Sequence, residues 1–361
     1  MEVILQQASR HAPEFVKELT DAKKAYFRTK NIKETGNWKL YSKTIILFGL
    51  FASTYYLLVF THANSVIENT LKVVGCVVLG GIIASIGFNV MHDANHGSYT
   101  KKDSTLNYWM GLSLNFLGAD AFLWIEKHNK RHHISTNIHG HDEDIEAGRL
   151  LRFHRDQEWQ PIHRYQHVYA FGIYCLLYLS WVWGTDYKKY FSGKILSVPF
   201  KKMSLKDHVV FWISKVVVYP AVFILIPIIV GGFWQWVIGY IIVMFTCSLF
   251  IAVIFQMAHV VEEVDMPTVA EADEIKRTLH QISTTANFGT RSTVLNWICG
   301  GLNFQVEHHL WPTISHVHYP ALNKILKEKC KKFNITYHEF PTLGAGIASH
   351  IRLLKELGKA G

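Results

Sequence analysis

Four long apolar runs decide most of what this chain can fold into. They are Thr44 to Thr61, Leu71 to Met91, Val209 to Gly232 and Phe233 to Phe255. Each approaches the roughly 20 residues that a helix needs to cross a hydrocarbon core. At that depth every backbone N–H and C=O must be satisfied within the protein, and a helix does so inside one segment. Composition agrees: 49% of the 361 residues are hydrophobic and only 18% are charged. The expected fold class is an all-α integral membrane protein with four transmembrane helices.

Charge sets the topology. The linker from His62 to Thr70 has no Lys or Arg, so it belongs outside. Lys101, Lys102, Lys127, Lys130, Arg131, Arg149 and Arg152 follow the second run and mark the cytoplasmic side. Lys188, Lys189, Lys194, Lys201, Lys202 and Lys206 mark the same side again. The Tyr- and Trp-rich run from Val168 to Gly184 lies between these groups, so it enters and leaves on one side, as an interfacial helix does. The last two runs, parted by Gly231 and Gly232, then go out and back, and both termini stay inside. Tyr108 to Ile125 and Val294 to Phe304 read as interfacial or re-entrant pieces. Lys72 and Lys215 are expected at span ends, where their ammonium groups snorkel to water. Residues 1–40 have no apolar signal core and read as a cytoplasmic, partly helical lead-in; residues 41–361 form the membrane domain. The net charge of +9 follows this topology and forms no stripe on a soluble fold, which excludes nucleic acid as a partner.

The five Cys form no CxxC pair, so neither a disulfide framework nor a Cys-type zinc site is expected. The 21 His are the anomaly. His92 and His96 stand four apart at the cytoplasmic end of the second run, on one face of a helix that continues outward. His128 and His132 repeat the spacing with His133 beside them; His308 and His309 follow Gln305; His259 lies just past the last run. A topology derived without histidine puts all four pieces at one membrane face, which argues for a di-metal cap there.

Imidazole suits Zn, Cu, Fe and Ni. Eight His exceed the roughly three ligands of a catalytic zinc and fit two ions with positions left open for an oxidant. No HExxH motif is present, which disfavours a zinc protease. A redox site against the bilayer suggests a lipid-like substrate.

The motifs HDANHGS, HNKRHH and QVEHHLWP, in this order around four spans, resemble those of the membrane fatty acid desaturases over about Thr44 to Pro320. Gln305, where many members carry His, resembles the front-end subgroup, which inserts a double bond between an existing one and the carboxyl end. The resemblance implies two irons (Fe2+/Fe3+), O2 as co-substrate, and removal of two hydrogens from adjacent methylenes of a fatty acyl chain. Carried over by position, the metal ligands are His92, His96, His128, His132, His133, His308 and His309, with His259 as an additional one. Gln305 is either a ligand or a hydrogen-bond partner of one. Asp93 and Glu307, inside the motifs, are candidates to orient imidazoles; His139, His141, His316 and His318 read as loop or packing residues.

Many front-end members carry a fused cytochrome domain marked by His-Pro-Gly-Gly. This chain has no His-Pro pair, so a separate electron donor such as a ferredoxin or a cytochrome is expected. The basic segments Lys188 to Lys206 and Lys324 to Lys332 are its candidate docking face, although positive-inside bias accounts for them as well. The absence of a fused cytochrome and of a C-terminal retrieval Lys pair points to a bacterial cytoplasmic membrane; in a eukaryote the endoplasmic reticulum is expected. A hydroxylase on the same scaffold is the near alternative. A metal transporter or sensor is the remote one, since it needs polar residues along the spans.

Overall fold

The computed structural model describes residues 2–101 and 104–359, with side chains from Ala12 onward; Lys102, one of the expected inward cations, and Met1 lie outside the described residues. The described residues are mostly helical, with short two-stranded pairings at Lys194–Ile195 with Val198–Pro199 and at Asn287–Phe288 with Glu339–Phe340. Four helices are long and apolar enough to cross a membrane: Trp38–Phe60, Val66–Asn95, Leu205–Gly231 and Phe233–His259. The all-α, four-span expectation therefore holds. Large apolar side chains such as Ile45, Val66 and Ile229 face outward, 74%, 84% and 80% exposed, a surface that lipid rather than water covers. The residues fall into two compact units. One gathers Trp38–Lys127 and Ala170–Val253, the other Met1–Asn37, His128–Tyr169 and Ile254–Gly361.

In the first unit, local chemistry fixes several of the span ends. Ser65 starts the second span with a capping box: its Oγ accepts the Glu68 amide at 3.2 Å while the Glu68 carboxylate accepts the Ser65 amide at 3.0 Å. Ser204 and Asp207 do the same for the third. Gly232, at φ 90°, breaks the chain between the third and fourth spans, as the Gly-Gly pair predicts. Widened π-type turns interrupt the second span at Gly87–Met91 and the third at Ile213–Val218 and Ala221–Leu225. Pro220 lies between the last two; it lacks an N–H and crowds the preceding turn, which accounts for the widening. The run from Tyr108 to Ile125 is broken into Thr105–Gly111, Ser113–Phe116 and Ala121–Lys127. The aromatic-rich run bends by 67° between Pro161–Tyr174 and Leu177–Ser192, so it is not one straight span.

Lys215 corrects the sequence reading. It does not snorkel: it is 3% exposed, and its Nζ donates to Asp186 Oδ2 at 2.8 Å, Gly118 O at 2.6 Å and Val182 O at 2.9 Å. The position is mid-helix in Leu205–Gly231 rather than at a span end. Asp186 Oδ2 also accepts the Asp120 amide at 2.8 Å, and Asp120 Oδ1 accepts the Leu123 amide at 3.0 Å at the start of the Ala121–Lys127 helix. Asn115 joins Asp120 at 2.9 Å and Ser214 at 3.3 Å. A buried charge this deep persists because every donor ends on a protein acceptor. Gly118, at φ +105°, admits the approach: a Cβ there would lie 2.5 Å from the Tyr219 ring.

In the second unit, the lead-in helix is part of the core. Ala12, Phe15 and Leu19 pack with Leu279, Ile282, Val306 and Leu326, and Phe27 packs with Phe304, Ile314, Tyr319 and Leu322. Val306 lies within the third histidine motif, and Phe304 and Ile314 lie on either side of it. The Leu343–Leu357 helix closes the unit, with buried His350 Nδ1 donating to Val260 O at 2.6 Å.

Candidate metal centre

The second histidine motif is wound as a π-type turn, His128–His132, and this alters which rings meet. The His133 amide donates to His128 O at 3.1 Å, five residues back. The sequence expectation was an i, i+4 pair; the wider turn instead sets His128 Nε2 and His133 Nε2 3.2 Å apart, while the His128 and His132 rings stack at 5.0 Å.

Outer hydrogen bonds then aim the rings. His132 Nδ1 meets the Asp142 carboxylate at 2.9 and 3.0 Å, with Asp144 at 3.4 Å. His309 Nδ1 meets Gln281 Oε1 at 2.7 Å, and His308 Nδ1 meets Tyr319 OH at 3.2 Å. An Nδ1–H held by a carboxylate or amide oxygen leaves the Nε2 lone pair pointing inward. As a result His132 Nε2 and His309 Nε2 face each other at 3.2 Å. Two such lone pairs repel unless a proton or a cation lies with them. Ring nitrogens of His132, His259 and His309 all lie within 4.8 Å of one another; so do those of His133, His308 and His309, and those of His128 and His132 with an Asp144 oxygen. All these histidines are buried. The donor set fits metal ions with imidazole ligands.

Gln305 and His259 meet through Nε2 atoms at 3.0 Å. Gln305 begins the short helix Gln305–Leu310, which also carries His308 and His309. Gly301, at φ +74°, makes the turn before it, where a Cβ would sit 2.7 Å from His316 Cβ. Glu307 does not orient an imidazole, contrary to the sequence expectation. It accepts from Asn287 Nδ2 at 2.7 Å, Asn323 Nδ2 at 3.1 Å and Tyr337 OH at 3.1 Å, and Asn287 Oδ1 accepts the Val306 amide at 2.9 Å. Glu307 thus pins the helix that presents the histidines. Burial pushes its carboxyl up to about 7, against these hydrogen bonds.

His92 and His96 lie in the first unit, in and just after the helical turn His92–Asn95, with ring centroids 4.6 Å apart and Trp124 against both at 5.5 Å. They share a face, as their spacing predicts. The Asp93 carbonyl accepts the Ser98 and Tyr99 amides at 2.8 and 3.2 Å and closes the turn after the motif.

Sequence reading missed Asp142, Asp144, Gln281 and Tyr319. A signal exists for the acids alone: the acidic loop GHDEDIE follows the second motif. His139 pairs with Glu146 at 2.6 Å, away from the cluster, whereas Asp142 and Asp144 of the same loop meet His132. His318 packs against Phe27 and meets Thr35 O at 3.2 Å, a packing role as expected.

Comparisons with known proteins bear on this geometry. A family model described as "Fatty acid desaturase" matches residues 68–341. The chain is 35% identical over 346 residues to an sn-1 linoleoyl-lipid 6-desaturase of Synechocystis sp., covering 93% of each chain. It is 34% identical to an sn-1 linoleoyl-lipid 6-desaturase of Arthrospira platensis, over 95% of this chain and 92% of the relative. It is 31% identical to an acyl-lipid (8-3)-desaturase of Physcomitrium patens, over 98% of this chain and 74% of that longer protein. With four membrane-length helices and a buried histidine cluster on the same chain, this protein belongs to the membrane fatty acid desaturase family, as an oxidoreductase of front-end type.

Proposed function

We propose that this desaturase acts on a linoleoyl group esterified in a membrane lipid and inserts a cis double bond at the 6 position, between the existing bonds and the carboxyl end. The likeness to two sn-1 linoleoyl-lipid 6-desaturases across more than nine-tenths of the chain supports the reading. The two ions are iron, held by His92, His96, His128, His132, His133, His259, His308 and His309, with Gln305 as a further ligand or the hydrogen-bond partner of one. The observation that carries a metal here is the 3.2 Å approach of two Nε2 atoms whose Nδ1 partners are an acid and an amide oxygen. Iron bound by such donors supplies the activation of O2 that an unactivated methylene requires.

The protein's own residues bind and orient. Asp142, Gln281 and Tyr319 hold rings so that Nε2 lone pairs converge; burial keeps water from the reactive centre. The membrane domain of residues 41–361 carries the reaction, and the lead-in of residues 1–40 packs against it through Ala12, Phe15, Leu19 and Phe27. The histidines lie at the cytoplasmic face of a bacterial cytoplasmic membrane, and a separate ferredoxin or cytochrome supplies electrons. Of the two basic segments, Lys188 to Lys206 is the better dock: Lys188, Lys194, Lys201, Lys202 and Lys206 are exposed, whereas Lys327, Lys329 and Lys332 are paired with Glu339 and Glu18.

Expression in a host whose lipids contain linoleate but no 6-unsaturated chains, followed by gas chromatography of each lipid class, tests this. A new 6-double bond in intact lipid supports it; a bond elsewhere, or product only as acyl-CoA, contradicts the position or the carrier.

A further inference from the structure

A cavity of about 520 Å³ opens among the four spans at the end where both helical hairpins turn. That size suits one lipid tail or a drug-sized ligand. His62, Ala63 and Asn64 of the first linker and Gly231 at the break between the third and fourth spans line its mouth, and Leu79, Ile242 and Val243 its depth. The ring polar atoms along the wall are turned to other partners: Tyr55 OH to Val222 O at 2.6 Å, Trp236 Nε1 to Phe223 O at 2.9 Å and Tyr240 OH to Tyr219 OH at 2.8 Å. The interior presented to a ligand is therefore apolar.

One charge lines the mouth. Lys72 Nζ donates to Leu58 O at 2.9 Å and to Thr61 O, the last carbonyls of the first span. Among the described residues no carboxylate lies within ion-pair distance of it, and an ammonium has a third N–H to give. Glu68, the acid of the linker, is turned to the Asn64 and Ser65 amides. The site is also remote from the metal centre's histidines on the same helix. His92 lies roughly 30 Å further along the Val66–Asn95 helix than Lys72, and Leu79, at the cavity's depth, still falls roughly 20 Å short.

We propose that this cavity is a binding site for one membrane lipid of the leaflet opposite the histidines, with its tail among the spans and its anionic headgroup on Lys72. The proposal rests on the membrane helices and not on the reaction. A cation at an apolar mouth, with lipid on every side, selects an amphiphile of opposite charge.

Native mass spectrometry of the full chain released from vesicles of equal phosphatidylglycerol and phosphatidylcholine reads the site. A single retained lipid is expected, with phosphatidylglycerol favoured about fivefold, the effect of one basic residue at a lipid surface. Lys72→Gln brings the ratio to about one, Lys72→Arg keeps it, and the wild-type preference falls as salt rises. Gly239→Leu, whose Cβ would meet Cys76 Sγ at 3.4 Å on the cavity wall, removes retained lipid of both kinds. The salt series needs no variant, so it decides the charge claim even if a substitution fails to fold. No retained lipid in the wild type, or a preference indifferent to both salt and Lys72, overturns the proposal; so does retention set by linoleoyl content alone, which marks the cavity as the far end of a substrate path.

Discussion

The side-chain amide nitrogen of Gln305 stands 3.0 Å from Nε2 of His259, one of the buried clustered histidines. Without a cation the imidazole lone pair takes an amide N–H. With a metal on that lone pair the amide oxygen is the favourable end. The two ends of an amide differ only by rotation, so Gln305 serves either state. Gln305→Leu keeps the volume and removes both ends; it should lower desaturase activity about 10–100-fold, the usual effect of losing a partner of a metal ligand. Gln305→His should keep iron at the wild-type level. Iron content by inductively coupled plasma analysis, beside turnover, checks this. Wild-type turnover in Gln305→Leu would remove Gln305 from the centre.

Asp142 aims His132 through Nδ1 at 2.9 Å. Asp142→Ala should weaken metal retention about 10–100-fold while leaving the helices intact. Iron titration with circular dichroism on the same sample separates the two. Asp142→Asn, which still accepts the ring N–H through its amide oxygen, should lose less. Equal loss in both variants would show that the charge, not the orientation, matters.

Lys215 and Asp186 form a buried pair at 2.8 Å inside the membrane-embedded unit. Removing one partner strands the other charge, at a cost of about 3–5 kcal/mol. Lys215→Met should therefore lower the thermal midpoint in detergent markedly. The double variant Lys215→Met, Asp186→Asn should recover much of it, because neither partner is left stranded by loss of the other. A double variant as unstable as the single one would mean that the carbonyl contacts of Lys215, not its pairing, carry the effect.

His350 is buried and donates to Val260 O; burial lowers its pKa to about 4, from about 6.5 when unfolded. The folded state then binds fewer protons than the unfolded state between these values. Stability is full above about pH 6.5 and falls as pH drops toward 4, by about 3 kcal/mol in all. His350→Gln, which keeps a donor without the titration, should flatten that part of a melting profile measured from pH 7 to 4. An unchanged slope would place the acid sensitivity elsewhere.

Much of the architecture was legible because the bilayer enforces simple rules. The apolar runs, the Gly231–Gly232 break and the shared face of His92 and His96 all follow from length, hydropathy and helical period. What escaped has physical causes. A helical period of 3.6 assumes α geometry, so the π-type turn at His128–His132 changed which imidazoles meet. Lys215 looked like a snorkelling residue because its acceptors, Asp186 and the carbonyls of Gly118 and Val182, are distant in sequence. Gln281 and Tyr319 reach the histidines only through tertiary packing, and neither lies in a motif. Glu307 lies in a motif, yet it serves the backbone of its helix and not a ring.

The most direct test of the central claim is the product mass from purified, iron-loaded protein given a linoleoyl lipid, a reducing electron carrier and O2. The account predicts a lipid lighter by two hydrogens, its new double bond on the carboxyl side of the existing ones. A product heavier by one oxygen, or unchanged lipid from protein that holds reducible iron, would contradict it.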